Sequence, residues 1–191
     1  MHVVVRFLAK QQLAAFYDPI VAIYRDAFKA PPYSKGEDEV MEFARFFPQH
    51  VEQEGFRLVV ATEARTREPV GFAYGFRNAP GQGWYEVVAS LMPPQTVAEW
   101  LTGSFRLAEM AVASGAQGRG VGGLLHDQLL TDLPYRRAVL STTAAKTNAF
   151  WLYHKRGWQV LIDTFDVPGL PRPYRIMGLD LKIVSWFAPA A

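Results

Sequence analysis

The sequence predicts an α/β domain built on a central mixed sheet, mostly antiparallel, with helices on both faces. Three observations predict it. Two stretches of helical periodicity come early, two strand-like runs then flank a short polar turn, and the second half alternates extended apolar runs with amphipathic ones before closing on two strands. A chain that mixes adjacent strands with strand–helix alternation covers its apolar faces by placing helices on both sides of one sheet. At 191 residues, half of them apolar and 14% aromatic, the chain has the size and composition for one domain spanning 1–191 with a substantial core.

Val3 to Leu8, β-branched and apolar, reads as the first strand. Leu13, Phe16, Ile20, Ile23, Tyr24 and Phe28 recur at helical spacing, with Pro19 expected to kink or restart that helix and Pro31 and Pro32 to close it. Glu37 to Phe47 is a second helix, entered through Ser34, Lys35 and Gly36, with Val40, Phe43, Ala44 and Phe47 on one stripe and Pro48 as its expected stop. Phe56 to Glu63 and Pro69 to Arg77 flank the turn Ala64 to Glu68 as the strands of a hairpin do. Residues 78–103 make an excursion longer than a simple turn needs, read as a short extended piece followed by a brief helix from Gln95.

Beyond it, Ser104 to Ala113 is a strand, and Val121, Leu124, Leu125 and Leu129 mark a helix that ends before Pro134. Ala138 to Thr143 is the next strand, and Asn148 to Arg156 a helix closed by Gly157. Trp158 to Asp166 and Tyr174 to Val184 are the last strands, joined by a turn at Pro168 to Pro173, and 187–191 reads as a frayed tail.

Composition narrows the chemistry. Lys and Arg number 20 against 18 Asp and Glu, and a net charge of +2 gives no general reason to expect a nucleic-acid or membrane partner. With no cysteine there is no disulfide, thiolate metal site or cysteine-borne acyl intermediate. Four scattered histidines without an H-E-x-x-H pattern leave no expected metal site. The start lacks a secretory cleavage pattern and no apolar run approaches membrane-spanning length, so a cytoplasmic location is expected.

The stretch Glu109 to Leu125, E-M-A-V-A-S-G-A-Q-G-R-G-V-G-G-L-L, is the most specific in the chain. An extended run ends at Val112 and Ala113, five glycines follow among residues 115–123, and an amphipathic run begins at Val121. Strand, glycine loop and helix together cradle an anion, because glycine lets backbone amides approach a ligand and the helix start adds partial positive charge. Gly118, Gly120 and Gly123 satisfy G-x-G-x-x-G, but the acidic residue that a dinucleotide site needs at the end of the next strand is replaced by Thr142, Thr143 and Ala144. A Walker loop needs G-K-[ST], where Gly122, Gly123 and Leu124 stand, and the kinase signatures are absent.

Read from Gln117, the loop is Q-x-x-G-x-G, which resembles the acyl-CoA pyrophosphate loop of the GCN5-related N-acetyltransferases. Downstream, A-F-W-L-Y-H-K-R-G-W, Ala149 to Trp158, resembles that family's A-x-x-L-Y-x-K-x-G-F segment. The resemblance is sharp from about Phe105 to Trp158. It implies the family's fold and direct transfer of an acetyl group from acetyl-CoA to a primary amine, with no metal. A small-molecule amine is the expected acceptor, a protein amine or an inactive acyl-CoA-binding module the alternatives, and a homodimer is left open.

The resemblance also implies roles. Gln117, Gly118, Arg119, Gly120, Val121, Gly122 and Gly123 would hold the pyrophosphate through their amides, and the main chain of Met110, Ala111 and Val112 would pair with the pantetheine arm. Tyr153 would protonate the departing thiolate, which a phenol with pKa about 10 suits. The family often places a cofactor-contacting asparagine seven residues before that tyrosine. Here Lys146 holds the position, within reach of a phosphate, and Asn148 stands five before. Five residues turn a helix by about 500°, which puts Asn148 and Tyr153 on different faces and suggests an N-cap for Asn148.

Glu109 shares a strand face with Leu107 and Ala111, so burial would make it a candidate base, against the alternative of a structural ion pair. Glu86 is the second candidate base, set in an excursion whose Trp84, Tyr85, Leu91, Met92 and Trp100 would wall the amine side. His126 and Asp127 are expected to be solvated.

Overall fold

In the computed structural model, residues 1–166 and 172–181 are described. The turn expected at Pro168 to Pro173 falls mostly outside them, as do the tail 187–191 and any strand beyond residue 181. Among the described residues, seven strands are hydrogen-bonded in the order β1-β2-β3-β4-β5-β7-β6. They are β1 (Val3–Phe7), β2 (Arg57–Glu63), β3 (Pro69–Arg77), β4 (Phe105–Val112), β5 (Arg137–Thr143), β6 (Gln159–Phe165) and β7 (Tyr174–Asp180). β4 and β5 are parallel, with a register that covers Phe105 and Arg106, while the β1–β2, β2–β3, β5–β7 and β6–β7 pairs are antiparallel. The mixed α/β architecture is the one that the order of periodicities predicts. The chain divides into two compact units that share β4: Met1–Phe76 with Ala108–Thr131, and Arg77–Leu107 with the described residues from Asp132 onward.

In the first unit, α1 (Leu13–Phe28) and α2 (Glu37–Val51) cover one face of the strands. Alternate residues Leu58 and Val60 of β2 and Phe72, Tyr74 and Phe76 of β3 pack there against Ile20, Ile23, Tyr24, Phe28, Val40, Phe43 and Phe47. Strand period two thus meets helix period 3.6 on one apolar surface. The rings of Tyr24 and Phe43 stack with centroids 3.9 Å apart. On the opposite face lies α5 (Val121–Leu130), whose Val121, Leu125 and Leu129 are buried and which packs on β1 and β2.

Pro48 does not stop α2, and α1 runs through Pro19 as one helix. A proline inside a helix leaves the carbonyl four residues earlier without its amide partner. For Pro48 that carbonyl belongs to Ala44, and the hydroxyl of Tyr17 on α1 donates to it over 2.9 Å. The lost helix bond is therefore replaced by one that also joins α1 to α2.

In the second unit, α3 (Gly83–Ser90) occupies the part of the excursion expected to be extended. Tyr85, Val88 and Met92 are buried at positions i, i+3 and i+7, a helical stripe. α4 (Pro94–Thr96) leads into a π-turn, Val97–Leu101, that delivers Trp100 to the sheet. Trp100 packs with Val139 and Ile176, and Arg137 lies over its ring at 4.3 Å. Arg137 is in turn paired with Glu99 at 3.0 Å and with Asp180. α6 (Asn148–Lys155) follows β5 and ends at Gly157, whose φ of +83° suits a residue without Cβ.

Trp100 fits because residue 178 on β7 is glycine. A Cβ there would lie 2.5 Å from Trp100 Cε3 and 2.8 Å from Leu161 Cδ1. Gly178→Ala should therefore lower stability by about 1–3 kcal/mol, the cost of overpacking a core, visible as a thermal midpoint several degrees lower. Trp100→Leu in the same background should recover part of that loss. An unchanged midpoint for Gly178→Ala would show that the ring does not sit on this glycine.

Candidate functional site

The glycine loop is built entirely within the first unit. β4 delivers it, and the Ala113 amide, just past the strand, still donates to Val70 O at 2.9 Å. A single 3-10 turn, Ser114–Ala116, follows, and Gln117 is extended. Gly118 has φ +70° and Gly120 φ +82°, the left-handed region where a side chain would be strained. A Cβ added at Gly115, Gly118 or Gly120 would meet nothing within 4 Å, so backbone conformation rather than crowding selects glycine at 118 and 120, and the space beside them is open.

Gly120 is also the N-cap of α5, and no side chain caps that helix. The amides of Val121, Gly122 and Gly123 in its first turn are therefore left for a ligand or water. A donor set of this kind, at the positive end of a helix dipole and beside open space, fits a phosphate. The loop itself is held by two side chains. Gln117 Nε2 donates to Val112 O at 2.9 Å, and Asp26 at the end of α1 accepts the Ser114 amide at 2.6 Å. Asp26 stands 88 positions before Ser114, and no local pattern marks it.

The structure thus brings Met110, Ala111 and Val112 into continuity with Gln117, Gly118, Arg119, Gly120, Val121, Gly122 and Gly123. Ala111 is buried in the core of this unit, and Met110 and Val112 are half-buried. Lys146, Asn148 and Tyr153 belong to the second unit. Tyr153 is buried on α6 with its ring 5.7 Å from that of Trp158, and Lys146 is exposed in the turn before the helix. Asn148 is not the N-cap. Thr147 is, with its Oγ1 accepting the Phe150 amide at 3.3 Å, and Asn148 is the first helical residue, exposed. Threonine and asparagine can both cap, so adjacent candidates are separated only by backbone geometry: Thr147 is extended, with ψ 173°.

No family model matches the chain. A GCN5-like protein acetyltransferase of Mycobacterium tuberculosis is 28% identical, across 85% of this chain and 90% of its own length. The Q-x-x-G-x-G loop, in place between strand and helix, agrees with that match. The chain is similar to the GCN5-related N-acetyltransferases. Solved structures share the fold. A GCN5-related N-acetyltransferase from Kribbella flavida aligns with a TM-score of 0.60 at 18% identity over 93% of this chain and 97% of its own. A structure described as histone acetyltransferase HPA2 and related acetyltransferase, from Corynebacterium glutamicum, aligns at 0.63 with 20% identity over 93% and 96%.

The remaining candidates stand differently from their sequence readings. Glu109 is half-buried rather than buried, though Leu107 and Ala111 on its strand face are buried. Glu86 is exposed, and its Oε1 accepts the Gly81 amide at 2.7 Å, bracing the turn that enters α3. His126, expected in solvent, is buried, with Nδ1 2.8 Å from Asp127 Oδ1. α5 turns its His126 inward because the residue sits one position after Leu125 and three before Leu129 on the covered side of the helix.

Of the excursion aromatics expected to wall the amine side, Tyr85 and Trp100 are core residues of the second unit, as is Met92. Trp84 is half-buried, with Nε1 donating to Ser141 Oγ at 3.1 Å and Arg106 over its ring at 4.4 Å, while Leu91 is exposed. The i, i+3, i+7 spacing of Tyr85, Val88 and Met92 was the signal that distinguishes this helix from an extended wall.

The cap assignment is open to a direct check. Thr147→Ala should cost about 1 kcal/mol in urea unfolding, the usual loss of an N-cap, and Asn148→Ala only a few tenths. The reverse ranking would return the cap to Asn148.

Proposed function

We propose that this protein transfers an acetyl group from acetyl-CoA directly to the primary amine of a small molecule. The observation that carries the proposal is the cradle: two left-handed glycines and an uncapped helix start, reached from an apolar strand, in the Q-x-x-G-x-G spacing of an acyl-CoA loop. In this reading the amides of Gln117 to Gly123 hold the pyrophosphate and the main chain of Met110 to Val112 pairs with the pantetheine arm. Lys146, an exposed cation, and Asn148 remain candidates for polar contacts with the same molecule.

The chemistry needs three services from the chain. Glu109 takes the proton of the attacking amine, directly or through water, which matters most for an alkylamine because its pKa near 10.4 keeps it charged at neutral pH. A β4 amide near Val112 donates to the carbonyl oxygen as it gains negative charge. The amine nitrogen bonds to the carbonyl carbon, the carbon–sulfur bond breaks, and Tyr153 gives its phenolic proton to the departing sulfur.

A protein amine is the second reading for the acceptor, favoured by the name of the Mycobacterium tuberculosis relative, a protein acetyltransferase. The small-molecule reading is supported by the 78–103 segment, where Leu91 is exposed and Trp84, packed against the core, is half-buried.

Free-thiol release from acetyl-CoA, measured across a panel of small amines and lysine peptides, tests the reaction. The wild-type protein should release thiol in proportion to a small amine, and Tyr153→Phe should lower kcat by about 10²-fold or more with acetyl-CoA affinity little changed. A near-wild-type kcat would assign Tyr153 to packing, and a peptide as the best acceptor would favour the second reading.

A further inference from the structure

We infer that Asp26 is a positioning residue for the phosphate cradle, acting through the amide of Ser114. The inference rests on the acyl-CoA reading above and adds to it a residue outside the loop, on α1. Its geometry is specific. Oδ2 accepts the Ser114 amide at 2.6 Å and Oδ1 accepts from Lys29 Nζ at 2.5 Å, so both oxygens of the carboxylate are engaged.

Within α1 the acid has one local partner, Lys29 at i+3. Asp26 sits in the last turn of the helix, where the dipole disfavours a negative charge, and an anion beside a phosphate cradle would also oppose binding. Lys29 offsets both, leaving the pair neutral while the carboxylate keeps its grip on Ser114. Lys29 first, then the Ser114 amide and the Ser114 side chain, hold the Asp26 carboxyl at about 2, below its ordinary 3.8. Its contribution is accordingly complete above about pH 4 and is lost only as pH falls from there through about 2, so the brace is intact at any pH where an acetyltransferase would work.

What the brace holds has few other holds. Ser114 O accepts the Gln117 amide at 3.3 Å, Ala113 O accepts the Ala116 amide at 2.8 Å, and the Gln117 side chain returns to Val112 O. From there the chain passes through Gly118 and Gly120, neither of which has a side chain to anchor it. With Ser114 fixed at its amide and its carbonyl, the turn has one orientation, and that orientation sets where the glycine amides and the start of α5 stand. Preorganisation of this kind appears as ligand affinity, because a loop already ordered loses less entropy on binding.

The test measures acetyl-CoA binding by calorimetry and steady-state kinetics for the wild type, Asp26→Asn, Ser114→Pro and the double variant. An asparagine offers one oxygen and one NH2, so it cannot accept from both Lys29 and Ser114. Proline at 114 deletes both the amide and the hydroxyl through which residue 114 bonds Asp26, and the preceding Ala113, at φ −53° and ψ 140°, is already in the conformation that a following proline requires. Each single variant should raise Kd and KM for acetyl-CoA about tenfold, the scale of one charge-assisted hydrogen bond, with kcat and the amine KM within twofold. The double variant should be no worse than either single one, since both remove the same bond.

Wild-type affinity in the single variants, or a fall in kcat at unchanged KM, overturns the inference while leaving the acyl-CoA reading intact. A wild-type protein that binds no acetyl-CoA overturns that reading and the inference with it. Should Asp26→Asn prove too unstable to assay, Ser114→Pro alone decides between the outcomes.

Discussion

A helix that begins without a capping side chain leaves its first amides in search of acceptors, and the rest of the first unit is arranged around one that does. The N-cap of α5 is a glycine in the left-handed region, and the preceding loop bends back through a second one. Neither position tolerates a side chain easily, and neither is crowded, so the sequence there is dictated by backbone conformation and by what must approach it. The buried face of α5, packed on β1 and β2, fixes the axis along which those amides point. Gly71 on β3 belongs to the same arrangement: a Cβ there would lie 3.0 Å from Leu125 Cδ1 and 3.1 Å from Ala111 O, so its absence lets α5 and β4 come close.

The second unit solves a different problem. Its strands bury large rings delivered by a segment with irregular helix geometry, and a glycine on β7 makes room for Trp100 while Arg137 lies over the ring. Arg175 on β7 is buried as well, bound to Asp163 at 2.7 Å and lying over Phe150 of α6 at 4.5 Å, so charge and aromatic packing together fasten α6 to the sheet. This fastens the helix that carries Tyr153, the proton donor of the proposed reaction.

Much of this was legible in the sequence, and the reasons are local. Strand, glycine loop and helix declare themselves because each depends on neighbours within a few residues, and a dinucleotide reading fails on the acid missing at Thr142 to Ala144, a Walker reading on the missing G-K-[ST]. Tertiary rescue was not legible. Pro48 reads as a stop, yet α2 continues because Tyr17, from another helix, serves the carbonyl that proline abandons. The cap of α6 could not be assigned between Thr147 and Asn148 without backbone angles. His126 faces inward with the covered side of α5, which its polar type does not show, and Tyr85, Val88 and Met92 form an inward stripe that the position of the excursion before β4 does not reveal. The role of Asp26 at the loop was not legible, since Ser114 is distant in sequence and the local pair with Lys29 does not point to it.

In the proposed reaction the uncapped start of α5 and its glycine loop cradle the phosphates of acyl-CoA. Calorimetric titration of the wild-type protein and of Gly120→Asp with acetyl-CoA, ATP and NAD tests it most directly. The account predicts that acetyl-CoA binds the wild type more tightly than either nucleotide and that Gly120→Asp, which adds bulk and negative charge at the anion, abolishes that binding in a protein that still unfolds cooperatively. Undiminished acetyl-CoA affinity in the folded variant, or a wild-type preference for ATP or NAD, would contradict it.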